Sequence, residues 1–202
     1  LQEARLELAL HQIKPHFLQN ALMSIKVLCR TRPKEAEQAV YDFAVFLRGN
    51  MNALESAEMI PFREECKTIE RYLHIEKIRF GERLQVQWDL QEEKFRIPPL
   101  TIQPLVENAV CHGICQKMEG GTVQIRSFRK NGEICVQILD DGAGFDTEKL
   151  KDADGIAIRN LKLRLKEFLN ADLEIESRKG EGCRQTIHIP WEETDDENYS
   201  DR

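Results

Sequence analysis

No run of about 18 apolar residues occurs in the 202-residue sequence, which therefore offers no transmembrane helix. Leu1-Gln2-Glu3 lacks the charged and apolar regions of a signal peptide. With leucine where an initiator methionine would stand, the expectation is a piece of a longer chain. No basic field argues for nucleic acid. Five of the six net negative charges come from the last twelve residues, where Glu192, Glu193, Asp195, Asp196, Glu197 and Asp201 face only Arg202, and 1–190 hold 29 acidic against 28 basic residues. The six cysteines, Cys29, Cys66, Cys111, Cys115, Cys135 and Cys183, show no C-x-x-C spacing. That favours reduced thiols in a cytosol-like compartment over a disulfide framework. Cys111, His112 and Cys115 do not make a metal motif either, because His112 points about 100° away from the helix face the two cysteines share. Internal repeats and low-complexity blocks are absent as well.

What is present is enough apolar material, 41% beside 32% charged residues, for one or two domains with a core. Leu6, Leu10, Ile13, Phe17, Ala21, Ser24 and Leu28 recur at steps of three and four across Pro15 and predict one helix over 1–30. Pro15 would then break a hydrogen bond to the carbonyl of His11 and kink the helix beside His16. Asn20 falls one turn on, on the same face as His16. The plainer alternative is a helix that starts at Pro15, with His16 an ordinary surface histidine.

A turn at Thr31-Arg32-Pro33 leads to a second helix with Ala36, Val40, Phe43, Leu47 and Leu54 as its seam. Two helices cannot bury seams of this size alone, whereas two hairpins form a four-helix bundle, so a homodimer through the hairpin is expected. Further on come a helix over 61–79 ended by Gly81, a strand over 84–90, a break at Arg96-Ile97-Pro98-Pro99 and a helix over 100–113. Strands over 123–128 and 134–139 are joined by Asn131-Gly132, a strong hairpin signal. A turn at Asp140-Asp141-Gly142-Ala143-Gly144, a helix over 156–169 and strands over 173–177 and 185–189 complete the order. The fold class is α+β: a helical hairpin dimerising into a four-helix bundle, then an α/β sandwich with a mostly antiparallel sheet and helices on one face. The boundaries are 1–57 for the hairpin, 58–190 for the sandwich and 191–202 for an acidic tail read as disordered.

Three constellations carry chemistry. Glu107-Asn108 with His112 puts an amide oxygen and an imidazole on one helix face, and an amide oxygen suits a magnesium ion also held by phosphates. Asp140, with Gly142 and Gly144 after it, places a carboxylate at a strand end where it can accept from an adenine amine while the backbone comes close. Asp154-Gly155-Ile156-Ala157-Ile158-Arg159-Asn160 opens a helix whose free N–H groups suit a phosphate chain. Taken singly, each is also an ordinary polar face, turn or cap.

In this order the chain resembles the LytS/YehU-type sensor histidine kinases over essentially 1–190. The marks are Gln12-Ile13-Lys14-Pro15-His16-Phe17-Leu18-Gln19-Asn20, then Tyr72-Leu73-His74-Ile75-Glu76 leading to Arg79-Phe80-Gly81. Pro104-Leu105-Val106-Glu107-Asn108-Ala109 with His112-Gly113 and the Asp140 turn follow. The resemblance implies a GHKL-type ATP-binding domain and a cytoplasmic kinase portion of a membrane-anchored receptor, without membrane contact of its own. It further implies ATP and Mg2+ as cofactors and a response-regulator receiver domain as partner. His16 becomes the phosphorylated histidine, Asn108 the magnesium ligand, Asp140 the adenine contact, and Gly142 and Gly144 the hinge of a mobile lid. His112, Gly155 and Asn160 join the nucleotide site. The catalytic candidates are His16, Asn20 and Glu107. The chain departs from the family at Ala157 in place of glycine, Cys183 in place of threonine and Cys111 where lysine is common. No carboxylate follows His16, so its proton acceptor is unassigned. Two rival readings remain: a non-catalytic dimeric signalling scaffold with a lost nucleotide site, and a GHKL ATPase in which Glu107 activates water.

Overall fold

The computed structural model describes residues 15–55, 58–146 and 156–191. Two compact units result, one of Leu1–Glu58 with Cys66–Glu82, the other of Met59–Glu65 with Arg83–Arg202.

In the first unit, α1 (Pro15–Thr31) and α2 (Pro33–Glu55) form the hairpin, with Arg32 alone between them. Its amide donates to the Leu28 carbonyl at 2.7 Å and its carbonyl accepts from Ala36 at 3.1 Å, so the turn closes within one residue. The expected start of the helix at Leu1 lies outside the described residues, as do the residues before Pro15 that the expected kink would involve. Phe17, Ala21, Ile25 and Leu28 are buried, a four-four-three spacing that puts Ile25, not the half-buried Ser24, at the core. α2 keeps part of its expected seam: Ala36 is buried, Phe43 packs on the cluster beside it and Leu47 is half-buried. Ala39 and Phe46 are buried as well, while Val40, expected in the seam, is 51% exposed. α3 (Phe62–Phe80) contributes Tyr72 and Ile78 to this unit. The Phe17 ring lies 5.3 Å from Phe46 and 5.1 Å from Tyr72, and Ile78 packs on the cluster of Ile25, Leu28, Ala36 and Ala39. Gly81, with φ of +57°, stops α3 as expected.

The second unit is built on five strands: β2 (Leu84–Leu90), β4 (Gly121–Lys130), β5 (Glu133–Asp140), β6 (Asp172–Arg178) and β7 (Gly182–Pro190). Their order is β2-β4-β5-β7-β6, with only β2 and β4 parallel. Short β1 (Ile60–Pro61) pairs with β3 (Arg96–Ile97) beside it. Asn131 and Gly132 both have positive φ, 53° and 77°, the geometry a two-residue hairpin between twisted strands requires. Val123, Ile125, Ile134, Val136, Ile138 and Ile187 alternate onto one buried face. That face meets α4 (Gln103–Asn108) and α5 (Ile156–Leu169), with Gln185 of β7 donating to the Leu105 carbonyl at 3.2 Å. The single helix expected over 100–113 is divided: α4 ends at Asn108, a π-helical segment runs over Ala109–Gly113, and a 3-10 turn follows over Ile114–Gln116. Leu100 cannot be helical, because its φ is +58°. The Arg164 guanidinium of α5 donates to its carbonyl.

Candidate functional site: an exposed histidine and a cavity behind the sheet

Within the helical unit, His16 is exposed while its neighbour Phe17 anchors the helix among Phe43, Phe46 and Tyr72. The Asn20 amide nitrogen lies 3.1 Å from both ring nitrogens of His16. It donates to whichever nitrogen carries the lone pair. The pair expected from one-turn spacing is thus formed, at the surface and not in the core.

In the sandwich unit a cavity of about 780 Å³ opens beside β5 and β7, within the range of sites for drug-sized ligands. Its walls include Asn108, His112, Asp140, Gly144, Ala157, Lys179, Cys183 and Gln185. Four of the candidate site residues, Asn108, His112, Asp140 and Gly144, are therefore brought together, with Ala157 and Cys183 beside them. Gly142, Glu107 and Asn160 lie off the wall; Glu107 takes a hydrogen bond from Gln103 at 2.9 Å, and Asn160 is exposed. Gly155 lies outside the described residues. The π segment, with its wider turn, lies between the cavity residues Asn108 and Gly113 and carries His112; such segments recur at functional sites.

Asp140 is 7% exposed, and its carboxyl is pushed up to about 6, first by burial and then by the neighbouring Asp141. Hydrogen bonds from the Gly142 and Cys183 amides hold the carboxyl down in part. Burial and Asp140 together push the Cys183 thiol up to about 12, so it stays neutral. The two glycines after Asp140 permit close packing. A Cβ on Gly142 would sit 2.2 Å from the Gly113 carbonyl carbon, and one on Gly144, whose φ is +57°, 2.0 Å from the Arg178 carbonyl oxygen. Hydrogen bonds from Ala143 to Gly113 and from Gly180 to Ala143 secure the same loop. Lys179, Ile175 and Gln185 complete the wall from β6, β7 and their turn, where no local sequence signal marks them.

Glu65 sets the helix that carries Asn108. Ile102, the N-cap of α4, has no side-chain cap, and Glu65 Oε1 accepts instead from the Ile102 and Gln103 amides at 2.5 and 3.1 Å. Burial pushes its carboxyl from 4.5 to about 7, against the pull of those amides and of Arg164. A carboxyl raised on folding keeps its proton longer in the folded chain, so its contribution falls as pH rises from about 4.5 to about 7. Glu65→Gln should therefore lose less stability than wild type between about pH 5 and about pH 8, by on the order of 2 kcal/mol in urea unfolding. Equal losses would show that Glu65 does not carry that dependence.

Comparison with known proteins agrees with this layout. Residues 4–84 match the family described as Histidine kinase, and residues 99–193 the family of Histidine kinase-, DNA gyrase B-, and HSP90-like ATPase. The chain is 36% identical to YwpD of Bacillus subtilis over 96% of its length and 73% of that protein. It is 31% identical to the sensor protein LytS of Bacillus cereus over 94% of its length, but spans only 34% of LytS. The histidine kinase domain of the Erythrobacter litoralis blue-light activated histidine kinase shares the fold, with a TM-score of 0.54 at 16% identity, covering 88% of this chain and 96% of that one. No helix among the described residues is long and apolar enough to cross a membrane. The α+β architecture, the two family matches in this order and the relatives together show that the chain belongs to the LytS-type sensor histidine kinases, as a protein histidine kinase core.

Proposed function

We propose that this chain phosphorylates itself on His16 from ATP and passes the phosphoryl group to an aspartate of a response-regulator receiver domain. The observation that carries the reading is the exposed His16 ring with Asn20 against it, in a chain that also holds a cavity walled by Asn108 and Asp140. The neutral imidazole attacks the terminal phosphorus through one ring nitrogen; an N–P bond forms, the P–O bond to ADP breaks, and the ring proton leaves to solvent. Asn20 orients the ring. Such transfers need positioning and charge neutralisation more than covalent help, so the phosphate must be brought in line with His16.

The residues present fit a purine nucleotide. Asp140, ionised at neutral pH, accepts from the adenine amine, and Gly144 lets the backbone approach the base. Lys179 offers a cation to the phosphates, with His112 at the wall and Asn160 and Gly155 on the phosphate side by family likeness. The Asn108 amide oxygen would be the ligand for Mg2+, which would neutralise phosphate charge when bound. Glu107 would act as a base only if water replaced His16 as the acceptor.

Nucleotide-dependent melting separates this reading from a scaffold with a lost site. ATP with magnesium at about a hundred times Kd should stabilise the chain by about 2.7 kcal/mol, and Asn108→Ala should remove most of that gain. An unchanged melting point at millimolar nucleotide would favour the scaffold.

The reading also requires a homodimer. Leu22, Met23, Val27, Val40, Tyr41 and Met51 are exposed by 37–60% on the hairpin, more apolar surface than a single hairpin leaves open without purpose. Light scattering should give the mass of two chains, and Val27→Glu should shift it toward one. A single-chain mass for wild type at micromolar concentration would contradict the bundle.

A further inference from the structure

The face of the sheet turned away from the cavity carries a cluster that the kinase reaction does not use. Along β5, Glu133 and Cys135 alternate with Ile134, Val136 and Ile138, so they project from the other side. On β7 His188 is the direct cross-strand partner of Cys135. His188 Nδ1 lies 3.0 Å from Glu133 Oε2 and 3.9 Å from Cys135 Sγ, and the three donor atoms all fall within 4.8 Å of one another. A tetrahedral zinc ion with bonds of about 2.0–2.3 Å holds its donors roughly 3.3–3.6 Å apart. Two sides of the triangle, 3.0 and 3.9 Å, bracket that size and no side exceeds 4.8 Å, so side-chain shifts of about 1 Å would bring the donors to an ion.

The other ring nitrogen supplies an independent argument. His188 Nε2 lies 3.5 Å from Glu174 Oε2 on β6. A metal-binding histidine characteristically gives its second N–H to a carboxylate, which fixes the tautomer and turns the lone pair to the ion. As it stands the Nδ1–H donates to the Glu133 carboxylate at 3.0 Å; moving the ring proton to Nε2, where Glu174 can accept it, would free the Nδ1 lone pair for an ion between the thiol and Glu133. Cys135 is buried at 3% exposure, while the Glu133 and His188 side chains are 41% and 32% exposed, so a fourth position opens to water.

We propose that Glu133, Cys135 and His188 form a site for a divalent ion of the zinc class, with Glu174 as the positioning carboxylate of His188. The sulfur and nitrogen donors select a borderline or soft ion over the magnesium used with nucleotide. Binding forms a metal–thiolate bond and releases the thiol proton to solvent, with no change of oxidation state.

The test uses the full chain, freed of metal with a chelator and without nucleotide, titrated with Co2+. The site predicts a near-ultraviolet sulfur-to-cobalt absorption that saturates at about one equivalent and disappears when Zn2+ displaces the cobalt. Cys135→Ala should abolish the band. His188→Gln, at a partly exposed position and checked for folding by circular dichroism, should weaken binding at least tenfold, and Glu174→Gln about tenfold with the band retained. No band in the folded wild type, a band that survives Cys135→Ala, or unchanged affinity in His188→Gln would overturn the assignment.

Discussion

His16→Gln is expected to take up no label from ATP, while its nucleotide-dependent melting shift stays as in wild type. The ring is exposed and its contact is with Asn20, so the substitution removes the nucleophile without opening the core beneath it. Glutamine can still hydrogen-bond the Asn20 amide, and surface changes of this kind stay within about 0.5 kcal/mol in stability. A carboxamide nitrogen is no nucleophile toward phosphorus, so the loss should be complete and not graded. Mixing His16→Gln with Asn108→Ala extends the result. Label returning on the Asn108→Ala chain would mean that one protomer phosphorylates the other, and label on neither would mean transfer within a chain. Persistent labelling of His16→Gln alone would refute the acceptor.

The second large effect is expected at Gly142→Ala. The added methyl would meet the Gly113 carbonyl carbon at 2.2 Å, its Cα at 2.4 Å and its oxygen at 2.6 Å, all backbone. No side chain can turn aside to make room. The Gly142 amide also donates to Asp140 Oδ1 at 3.0 Å, and Ala143 donates to the Gly113 carbonyl at 3.1 Å, so the loop cannot retreat without releasing Asp140. Overpacking of this kind costs about 3 kcal/mol or more, and nucleotide affinity should fall at least tenfold. Gly132→Ala is the control: its φ is +77° but nothing lies within 4 Å, so a cost of about 1 kcal/mol with binding intact is expected. If Gly142→Ala binds nucleotide like wild type, the close packing of these two glycines is not what holds the adenine side.

Features set by neighbouring residues were legible before the fold was seen. Alternation placed β2, runs bounded by turn residues placed the other four long strands, Asn131-Gly132 closed the hairpin, Gly81 ended α3, and one-turn spacing paired His16 with Asn20. Features set by distant residues were not. α2 is apolar on more than one face, so periodicity alone could not choose Ala39 over Val40 for the interior. The late start of α4 goes with Glu65, 37 residues earlier, accepting from the Ile102 amide, and with Arg164 donating to the Leu100 carbonyl 64 residues away. Gly142 reads in sequence as a hinge because glycine signals conformational freedom; only the fold brings Gly113 against it and turns the need into one of space. Lys179 and Gln185 reach the cavity through strand pairing, which no local pattern encodes.

The most direct test incubates the full wild-type chain with terminally labelled ATP and magnesium, then divides the product between acid and alkali before mapping the labelled peptide. A phosphoramidate on His16 predicts label lost in acid, kept in alkali and confined to the peptide containing Pro15-His16-Phe17. Acid-stable label on a hydroxyl side chain, or no label while nucleotide is shown to be bound, would contradict the account.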